Sequence, residues 1–362
     1  MKVWGRLALA AVLAGWPAGA QEVFDLILKG GRVVDPKNGR DGRMDIGIRK
    51  GRIGKIAASI PAVQGRKVVD VSDYVVTPGL IDLNANFDIR RGGKGVNPDH
   101  NELRACVTTA VEGGNVDAAT FAEFKTKVIE DVKTRVLVFL AADGDGAAAA
   151  AVARQHPEIV VGFRAGANGA ESAVRAAELT KTVVLGEGPG LRAGDIQTGF
   201  YRSGSRPAAA KGVVQDLGHG AAGFWFRVAG PAVKQGRLPD TLSTGLDAES
   251  VMLPRATMTN VMTKMLALGA PLDGLIARAT VNPARALRRP ELGSLTEGGV
   301  ADVAVLETRT GSFGLLDAGH ARLTATREVR CVMTVRAGAV VWDSEGLSVR
   351  HWMDAGPYSN FK

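Results

Sequence analysis

The sequence predicts an α/β fold, a (β/α)8 TIM barrel inserted into a small β-sandwich that both ends of the chain build. Apolar and polar residues alternate around glycine-bearing turns near both termini, a pattern typical of β-hairpins. Between these segments, short apolar runs alternate with helical periodicity, as in parallel strands joined by helices. We therefore predict a composite β domain from residues 21–78 and 300–362, and a barrel domain from residues 79–299.

The first twenty residues are predicted to be a signal peptide. Lys2 and Arg6 give a basic start, residues 7–16 form a short apolar run, and Ala18-Gly19-Ala20 is a small-residue cleavage pattern. The apolar run is too short to span a bilayer. We expect a periplasmic or secreted protein with no membrane span.

The terminal segments contain the predicted strands of the β domain. Each candidate hairpin has two apolar alternations around a glycine-bearing turn. The candidates are residues 25–29 and 32–35 around Gly30-Gly31, residues 45–49 and 52–56 around Lys50-Gly51, and residues 331–342 around Ala337-Gly338. Residues 301–306 are predicted to be a further strand.

The middle of the chain contains the predicted barrel elements. Three apolar runs are typical of buried parallel strands: residues 135–140, 158–163 and 182–185. Helical periodicity is found in residues 120–132, 170–179 and 258–268, and Thr120 is the predicted N-cap of the first of these helices.

Charge and cysteine content limit the possible partners. The net charge is +8, and loss of residues 1–20 would leave 43 basic against 37 acidic residues. The basic clusters are short and lack interleaved aromatics, so we expect no nucleic-acid binding, while a preference for anionic ligands and a homo-oligomer both remain possible. Cys106 and Cys331 are far apart and show no spacing pattern, which favours two buried unpaired side chains over a disulfide.

Several motifs together resemble one family. They are Thr77-Pro78-Gly79-Leu80-Ile81-Asp82, Asn282-Pro283-Ala284-Arg285 and Gly298-Gly299-Val300-Ala301-Asp302. With these motifs the chain resembles the amidohydrolase superfamily, particularly its dihydroorotase-like and deacetylase-like metallohydrolases. The resemblance implies hydrolysis of C–N bonds at a metal site that usually holds zinc. Its ligands would be two histidines on the first barrel strand, a carbamylated lysine, one or two further histidines and an aspartate on the last strand.

Most positions that correspond to these ligands carry other residues here. They are Asn84 and Asn86 for the histidine pair, Arg164 for the lysine, Gly199 for a later histidine and Gly245 for the aspartate. His219 is retained in Gly218-His219-Gly220, and Asp247 stands two residues after the aspartate position, so these two are the vestigial catalytic candidates.

The replacement side chains do not suit zinc. A carboxamide offers only a neutral carbonyl oxygen, and a guanidinium stays protonated and cannot be carbamylated. We therefore predict that the zinc expected for active members of the family is lost. Because residues i and i+2 of a strand point to the same side, Asn84 and Asn86 should face the barrel interior with Arg164 and form a binding site for a small polar or anionic ligand.

Two interpretations remain for several of these residues. Arg164 would either bind an anion or, as we favour, fill the former metal site bonded to Asn84, Asn86 or Asp88. His219 would be a general base or, as we favour, a packing residue without an orienting carboxylate. Asp216 and Asp247 resemble common strand-end aspartates, and Glu187 resembles a solvated loop residue.

Three functional interpretations follow from the resemblance and the changed positions. The chain would be a non-catalytic barrel that binds a small ligand, or a hydrolase that cleaves amide or cyclic amide bonds by an altered or metal-free route. The third interpretation is a diverged copy with a structural or interaction role.

Overall fold

The structure is a computed structural model that describes residues 23–89, 94–142, 144, 146–166, 170–204 and 211–356. The predicted signal peptide, residues 1–20, lies outside the described residues. The strands are β1 Leu26–Asp35, β2 Arg40–Arg49, β3 Arg52–Ala57, β4 Val68–Asp70, β5 Val75–Pro78, β6 Leu80–Ala85, β7 Val107–Glu112, β8 Arg135–Ala141, β9 Val160–Arg164, β10 Val183–Gly186, β11 Ile196–Gln197, β12 Val214–Gln215, β13 Val303–Leu316, β14 Arg322–Arg336 and β15 Ala339–Asp343.

Eight strands from both ends of the chain form one mixed sheet. Its order is β15-β14-β13-β5-β1-β2-β3, and β4 pairs in parallel with β1. The junction of the two terminal segments is the antiparallel pairing of β13 with β5. Apolar side chains from both segments share a core cluster, so each segment completes a surface that the other leaves open.

One predicted hairpin is wrong, whereas the other two turns are confirmed. Gly30-Gly31 lies inside the single strand β1, where the pairing with β2 is irregular between Leu28 and Gly31. A Cβ atom at Gly31 would lie 2.5 Å from Cγ2 of Val76. The glycine therefore permits β5 to approach closely and does not reverse the chain. Lys50-Gly51 and Ala337-Gly338 do connect antiparallel strands.

The middle of the chain forms the predicted barrel. Strands β6 to β12 form a parallel sheet in sequence order, and the predicted runs correspond to β8, β9 and β10. Residues 241–246 then run beside both edges of this sheet, with parallel bridges from Thr241 to Asp216 and from Leu246 to Ala85. This segment takes the eighth position and closes the barrel, which confirms the predicted fold class.

Helices cover the outside of the barrel. They are α1 Pro98–Asn101, α2 Phe121–Phe124, α3 Ala147–Gln155, α4 Glu171–Thr180, α5 Phe226–Lys234, α6 Met258–Ala267, α7 Leu272–Arg278 and α8 Val281–Ala286. The helix predicted over residues 120–132 is α2 followed by a π-helical turn, Lys125–Ile129. Thr120 stands at its N-cap position, as predicted, but makes no side-chain capping bond, because its hydroxyl donates to Asp117. No described helix is long and apolar enough to cross a membrane.

A disulfide joins the barrel to the terminal sheet, so the preference for two unpaired cysteines is wrong. Cys106 directly precedes β7, and Cys331 lies in β14; their Cα atoms are 5.4 Å apart and their sulfurs are bonded. Both residues are buried, as expected. The pairing is not readable from spacing, because 225 residues separate the two cysteines and only the folded barrel brings β14 beside β7.

Candidate functional site

A cavity of about 310 Å³ opens at the carboxyl ends of the barrel strands. This is the edge where parallel barrels usually carry their sites. Its lining includes Asn84, Asn86, Gly113, Gly114, Asn115, Arg164, Glu187, Thr198, Arg202, the segment 218–223 and Gly245. Six of the positions that the sequence analysis discussed therefore meet here: Asn84, Asn86, Arg164, Glu187, His219 and Gly245.

The two asparagines are held by neutral hydrogen bonds. Asn84 Nδ2 donates to Thr198 Oγ1 over 3.4 Å, and Asn86 Oδ1 accepts from the Asn115 carboxamide. Asn115 in turn donates to the buried carboxylate of Glu112 over 2.9 Å. The asparagines therefore belong to an amide network at the mouth of the barrel.

Arg164 forms an ion pair with Glu187. Its Nη2 lies 2.9 Å from Glu187 Oε1, and Arg202 Nη1 lies 2.5 Å from Glu187 Oε2. The favoured expectation that Arg164 bonds to Asn84, Asn86 or Asp88 is therefore wrong. Glu187 is an exposed loop residue, as expected, but its carboxylate is also paired with both arginines. Glu187 directly follows β10, so its side chain enters the same strand-end cavity as Arg164.

The charge of Glu187 is stabilised by its two arginine partners. Burial alone would raise the pKa of this carboxyl, but the hydrogen bonds and positive charges of Arg202 and Arg164 outweigh it and place the pKa below its ordinary value. Two guanidinium groups therefore face the Glu187 carboxylate in this part of the cavity, and guanidinium groups suit the binding of small anions.

His219 lies in the cavity wall, and its ring is turned into the protein. The residue is fully buried, and its ring stacks on Phe224 with centroids 5.0 Å apart. Nδ1 lies 2.8 Å from the Gly220 carbonyl oxygen, and Nε2 lies 2.8 Å from Lys264 Nζ. Because a carbonyl only accepts, Nδ1 carries the hydrogen and Nε2 accepts from Lys264.

Burial disfavours the charged form of both members of this pair. Burial and the neighbouring Lys264 charge lower the pKa of His219 to about 3. Burial, with a smaller effect of Arg255, lowers the pKa of Lys264 to about 7. His219 is therefore neutral near pH 7, and its unprotonated ring nitrogen, Nε2, already accepts a hydrogen bond from Lys264.

Buried carboxylates lie beneath the cavity floor. Asp82 accepts from the backbone N–H of Thr244 over 3.0 Å, and Asp216 accepts from Thr198 Oγ1 and Thr241 Oγ1 over 2.9 and 2.8 Å. Asp216 directly follows β12, as expected of a strand-end aspartate, but it is fully buried where such residues are commonly exposed. Burial raises the pKa of Asp82 to about 7 and that of Asp216 to about 6.

The three remaining candidate positions contribute no metal ligand. Gly199 lies in the turn before Arg202, and a Cβ there would lie 3.5 Å from Arg202 Nε. A Cβ at Gly245 would lie 2.7 Å from the Gly220 nitrogen, so no side chain fits without a backbone shift. Asp247 accepts from the backbone N–H groups of Ser250 and Glu249, and its carboxylate caps this turn.

The side chains at this cavity do not fit the zinc site that the resemblance implies. Neutral carboxamides and a permanently protonated guanidinium occupy the first three ligand positions. Within the described ranges, no group of three or more His, Cys, Asp and Glu side chains is placed to hold a metal ion. We therefore derive no chemistry through zinc here.

Sequence reasoning missed three residues of this site. Arg202 and Lys264 belong to no recognisable motif, and Glu187 lies in a Gly-Glu-Gly-Pro sequence that is typical of a turn. The signal for Glu187 was its position directly after a predicted barrel strand, which places a side chain at the active edge of a barrel. Lys264 lies on α6, remote in sequence from His219, and only the fold brings them together.

Comparison with curated proteins identifies relatives of this chain. A deacetylase of Agrobacterium fabrum is 25% identical, with 71% of this chain and 76% of that protein covered. A deacetylase of Brucella anthropi is 26% identical, with 74% and 80% covered. No protein-family model matches the chain.

Solved structures share the fold. A crystal structure of an adenine deaminase has a TM-score of 0.80 at 21% identity and covers 88% of this chain and all of that one. A dihydroorotase has a TM-score of 0.79 at 20% identity, with 88% and 99% covered. An N-acyl-D-glutamate deacylase of Bordetella bronchiseptica, solved with zinc, has a TM-score of 0.59 at 16% identity, with 89% and 97% covered.

Proposed function

We propose that this chain, a homologue of bacterial deacetylases with the fold of the amidohydrolase superfamily, binds a small polar or anionic ligand at the barrel mouth and has lost the zinc-dependent reaction. The observation that carries the proposal is the position of Arg164 in the cavity wall beside Asn84 and Asn86. A fixed cation at the place of a bridging ligand repels a dication and attracts an anion.

The lining favours a ligand with both a carboxylate and an amide. Arg164 and Arg202 would pair with the carboxylate, because their charges exceed that of Glu187. Asn84 and Asn86 would hydrogen-bond a neutral amide, since a carboxamide both donates and accepts. An N-acyl amino acid has this combination, and about 310 Å³ can hold a small one.

We also propose that the protein is exported. The pattern of residues 1–20 supports this, and so does the disulfide between Cys106 and Cys331, because such cross-links persist in oxidising compartments. Fractionation of the host bacterium should place the chain outside the cytoplasm, with Gln21 as its first residue. A full-length cytoplasmic chain would contradict this part of the proposal.

The alternative, a hydrolase that still cleaves amide or cyclic amide bonds by an altered route, has less support. A general base must reach the substrate. His219 is fully buried, and its Nε2 already accepts from Lys264. Asp247 lies outside the cavity lining.

Calorimetric titration with N-acetylglycine tests ligand binding. We expect Arg164→Gln to weaken binding about tenfold, because a charge-assisted bond is lost. Arg227→Gln, an exposed arginine outside the cavity, should leave binding unchanged. Equal binding by the Arg164→Gln variant would reject the assigned site.

Metal analysis tests the loss of zinc chemistry. Protein purified without chelators should contain far less than one zinc per chain, and a panel of N-acyl amino acids, acetylated amino sugars and cyclic amides should not be hydrolysed with or without added zinc. Near-stoichiometric zinc, or zinc-dependent hydrolysis of any of these amides, would overturn the proposal.

A further inference from the structure

A second cavity lies where the barrel meets the terminal sheet. It has a volume of about 480 Å³, and the turn at residues 103–105, the start of α6 and strand β14 form its walls. None of its lining residues lines the first cavity. Any ligand here would therefore be separate from the one proposed for the barrel mouth.

The walls of this second cavity carry more positive than negative charge. Arg104, Arg255 and Arg330 line it together with one carboxylate, Glu328. Arg330 is already paired with glutamates elsewhere, Glu307 and Glu345. Arg104 lies over the Trp342 ring at 5.0 Å, and neither Arg104 nor Arg255 forms an ion pair with another described residue. Two guanidinium groups are therefore available to an anion.

The amino-terminal end of α6 also points to an anion. This ten-residue helix begins in the cavity wall, and Thr257 at its N-cap makes no side-chain capping bond. The first N–H groups of a helix lack partners within it, and the helix dipole places partial positive charge there.

A buried polar group in the same wall lacks a partner. Asn260, in the first turn of α6, is only 7% exposed, and its Oδ1 is fully buried with no hydrogen bond to any described residue. Leaving such an acceptor unpaired is unfavourable, and native proteins rarely do so without a reason. A ligand that donates a hydrogen bond would satisfy it.

We propose that this cavity is a second ligand site, for a small oxyanion that also carries a hydroxyl group, such as a monohydrogen phosphate. Arg104 and Arg255 pair with its charged oxygens, and the first N–H groups of α6 donate to them. The hydroxyl donates to Asn260 Oδ1. The same helix carries Lys264 one turn later, so an occupant would lie against the element that contacts His219.

Calorimetric titration with sodium phosphate at pH 7 and low ionic strength tests this site on the full chain. We expect saturable binding by the wild type, and a loss of about tenfold or more in affinity for Arg255→Gln and for Asn260→Ala. The matched control Arg227→Gln, at an exposed arginine that lines neither cavity, should bind phosphate as the wild type does. Both cavity variants should keep the wild-type affinity for N-acetylglycine, which separates this test from that of the first cavity.

Three results would overturn the proposal. They are no phosphate binding by the wild type, unchanged binding by Arg255→Gln, and loss of phosphate binding only in Arg164→Gln, which would move the anion to the first cavity. Arg255 is exposed, so its variant should fold and can decide the question even if Asn260→Ala does not.

Discussion

At the scale of single residues, the polar side chains of the barrel mouth and their neighbours fit one another. A Cβ at Gly114 would lie 2.3 Å from Arg164 Cβ, and a Cβ at Gly113 would lie 2.3 Å from Asn84 Oδ1. The two glycines therefore make room for the side chains that now stand at the barrel mouth. The site is a hydrogen-bonded polar surface, and Asn84 and Arg164 are part of its structure.

Replacing Glu187 should strengthen anion binding at the first cavity. Glu187→Gln removes the carboxylate that neutralises Arg164 and Arg202, so their charges become available to a ligand. We expect the affinity for N-acetylglycine to rise about threefold to tenfold, because these groups are partly exposed and screened. Glu291→Gln breaks an ion pair to Arg289 outside the cavity and should leave the affinity unchanged. Calorimetry would refute the assignment if both variants behaved alike.

Replacing His219 should reduce the loss of stability in acid. Its pKa is about 3 in the folded protein and ordinarily 6.5, so the unfolded chain takes up the proton first and stability falls as pH drops below about 6.5. Between pH 7 and 5 this linkage lowers the free energy of unfolding by about 2 kcal/mol. Urea unfolding at pH 7 and pH 5 measures this. Between these two pH values, His219→Gln should lose about 2 kcal/mol less of its free energy of unfolding than the wild type loses.

Other buried groups titrate in the same range, so the comparison between variants is the readout. Asp82 and Asp216 have raised pKa values, so their contribution to the stability of the protein has the opposite pH dependence: it is lost as pH rises. Both remain in the His219→Gln variant. Lys264, with a pKa near 7, changes stability mainly above pH 7. His320→Gln, at an exposed histidine, should retain the wild-type dependence, and an unchanged slope in His219→Gln would contradict the buried neutral imidazole.

At the scale of elements, side-chain hydrogen bonds complete the barrel where its strands are short. Strands β11 and β12 have two residues each, and the closing segment 241–246 pairs with its neighbours through single bridges. The Asp216 carboxylate accepts hydrogen bonds from the hydroxyl groups of Thr198, Thr241 and Ser243. Thr198 follows β11, whereas Thr241 and Ser243 belong to the closing segment, so these bonds cross the seam between the two. The carboxylate thereby connects segments that few backbone bonds hold.

Replacing Asp216 should weaken this seam. Asp216→Asn turns one carboxylate oxygen into a donor that faces hydroxyl donors, so at least one buried group loses its partner. We expect the free energy of unfolding to fall by about 2–3 kcal/mol. Asp273→Asn alters an exposed ion pair with Arg32 and should change the free energy of unfolding by less than about 1 kcal/mol. Similar urea midpoints for the two variants would show that Asp216 does not hold the seam.

The strands and helices that the sequence predicted are those with a strong local pattern. Apolar runs predicted β8, β9 and β10, because a buried parallel strand is apolar on both faces. The closing segment has no such apolar pattern, since 241–246 is rich in Thr, Ser and Gly and is fixed by contacts with Asp82 and Asp216; only the family resemblance placed Gly245 on a last strand. The position of the site followed from the strand pattern, but its ion pairs did not, because Arg202 reaches Glu187 only in the folded barrel.

At the scale of the whole molecule, one covalent link joins the two sheets. Cys106 enters the barrel at β7, and Cys331 belongs to the terminal sheet in β14. Beside it, the Thr334 hydroxyl donates to the Leu103 carbonyl oxygen over 2.6 Å. The second cavity lies along the same junction, with Cys331 in its wall. Changes in how the barrel meets the sheet should therefore affect both stability and that cavity.

Removing the disulfide should destabilise the whole chain. The link closes a segment of 225 residues, so it restricts the unfolded state strongly. We expect Cys106→Ala with Cys331→Ala to lower the free energy of unfolding by about 2–5 kcal/mol. Urea unfolding of the wild type with dithiothreitol should approach that of the double variant, whereas the reductant should not affect the variant itself. Because both cysteines are buried, the alanines also remove some packing, and the reduced wild type separates that contribution from the loss of the link. A wild type with the same stability in oxidising and reducing buffer would show that the bond does not hold the barrel and sheet together.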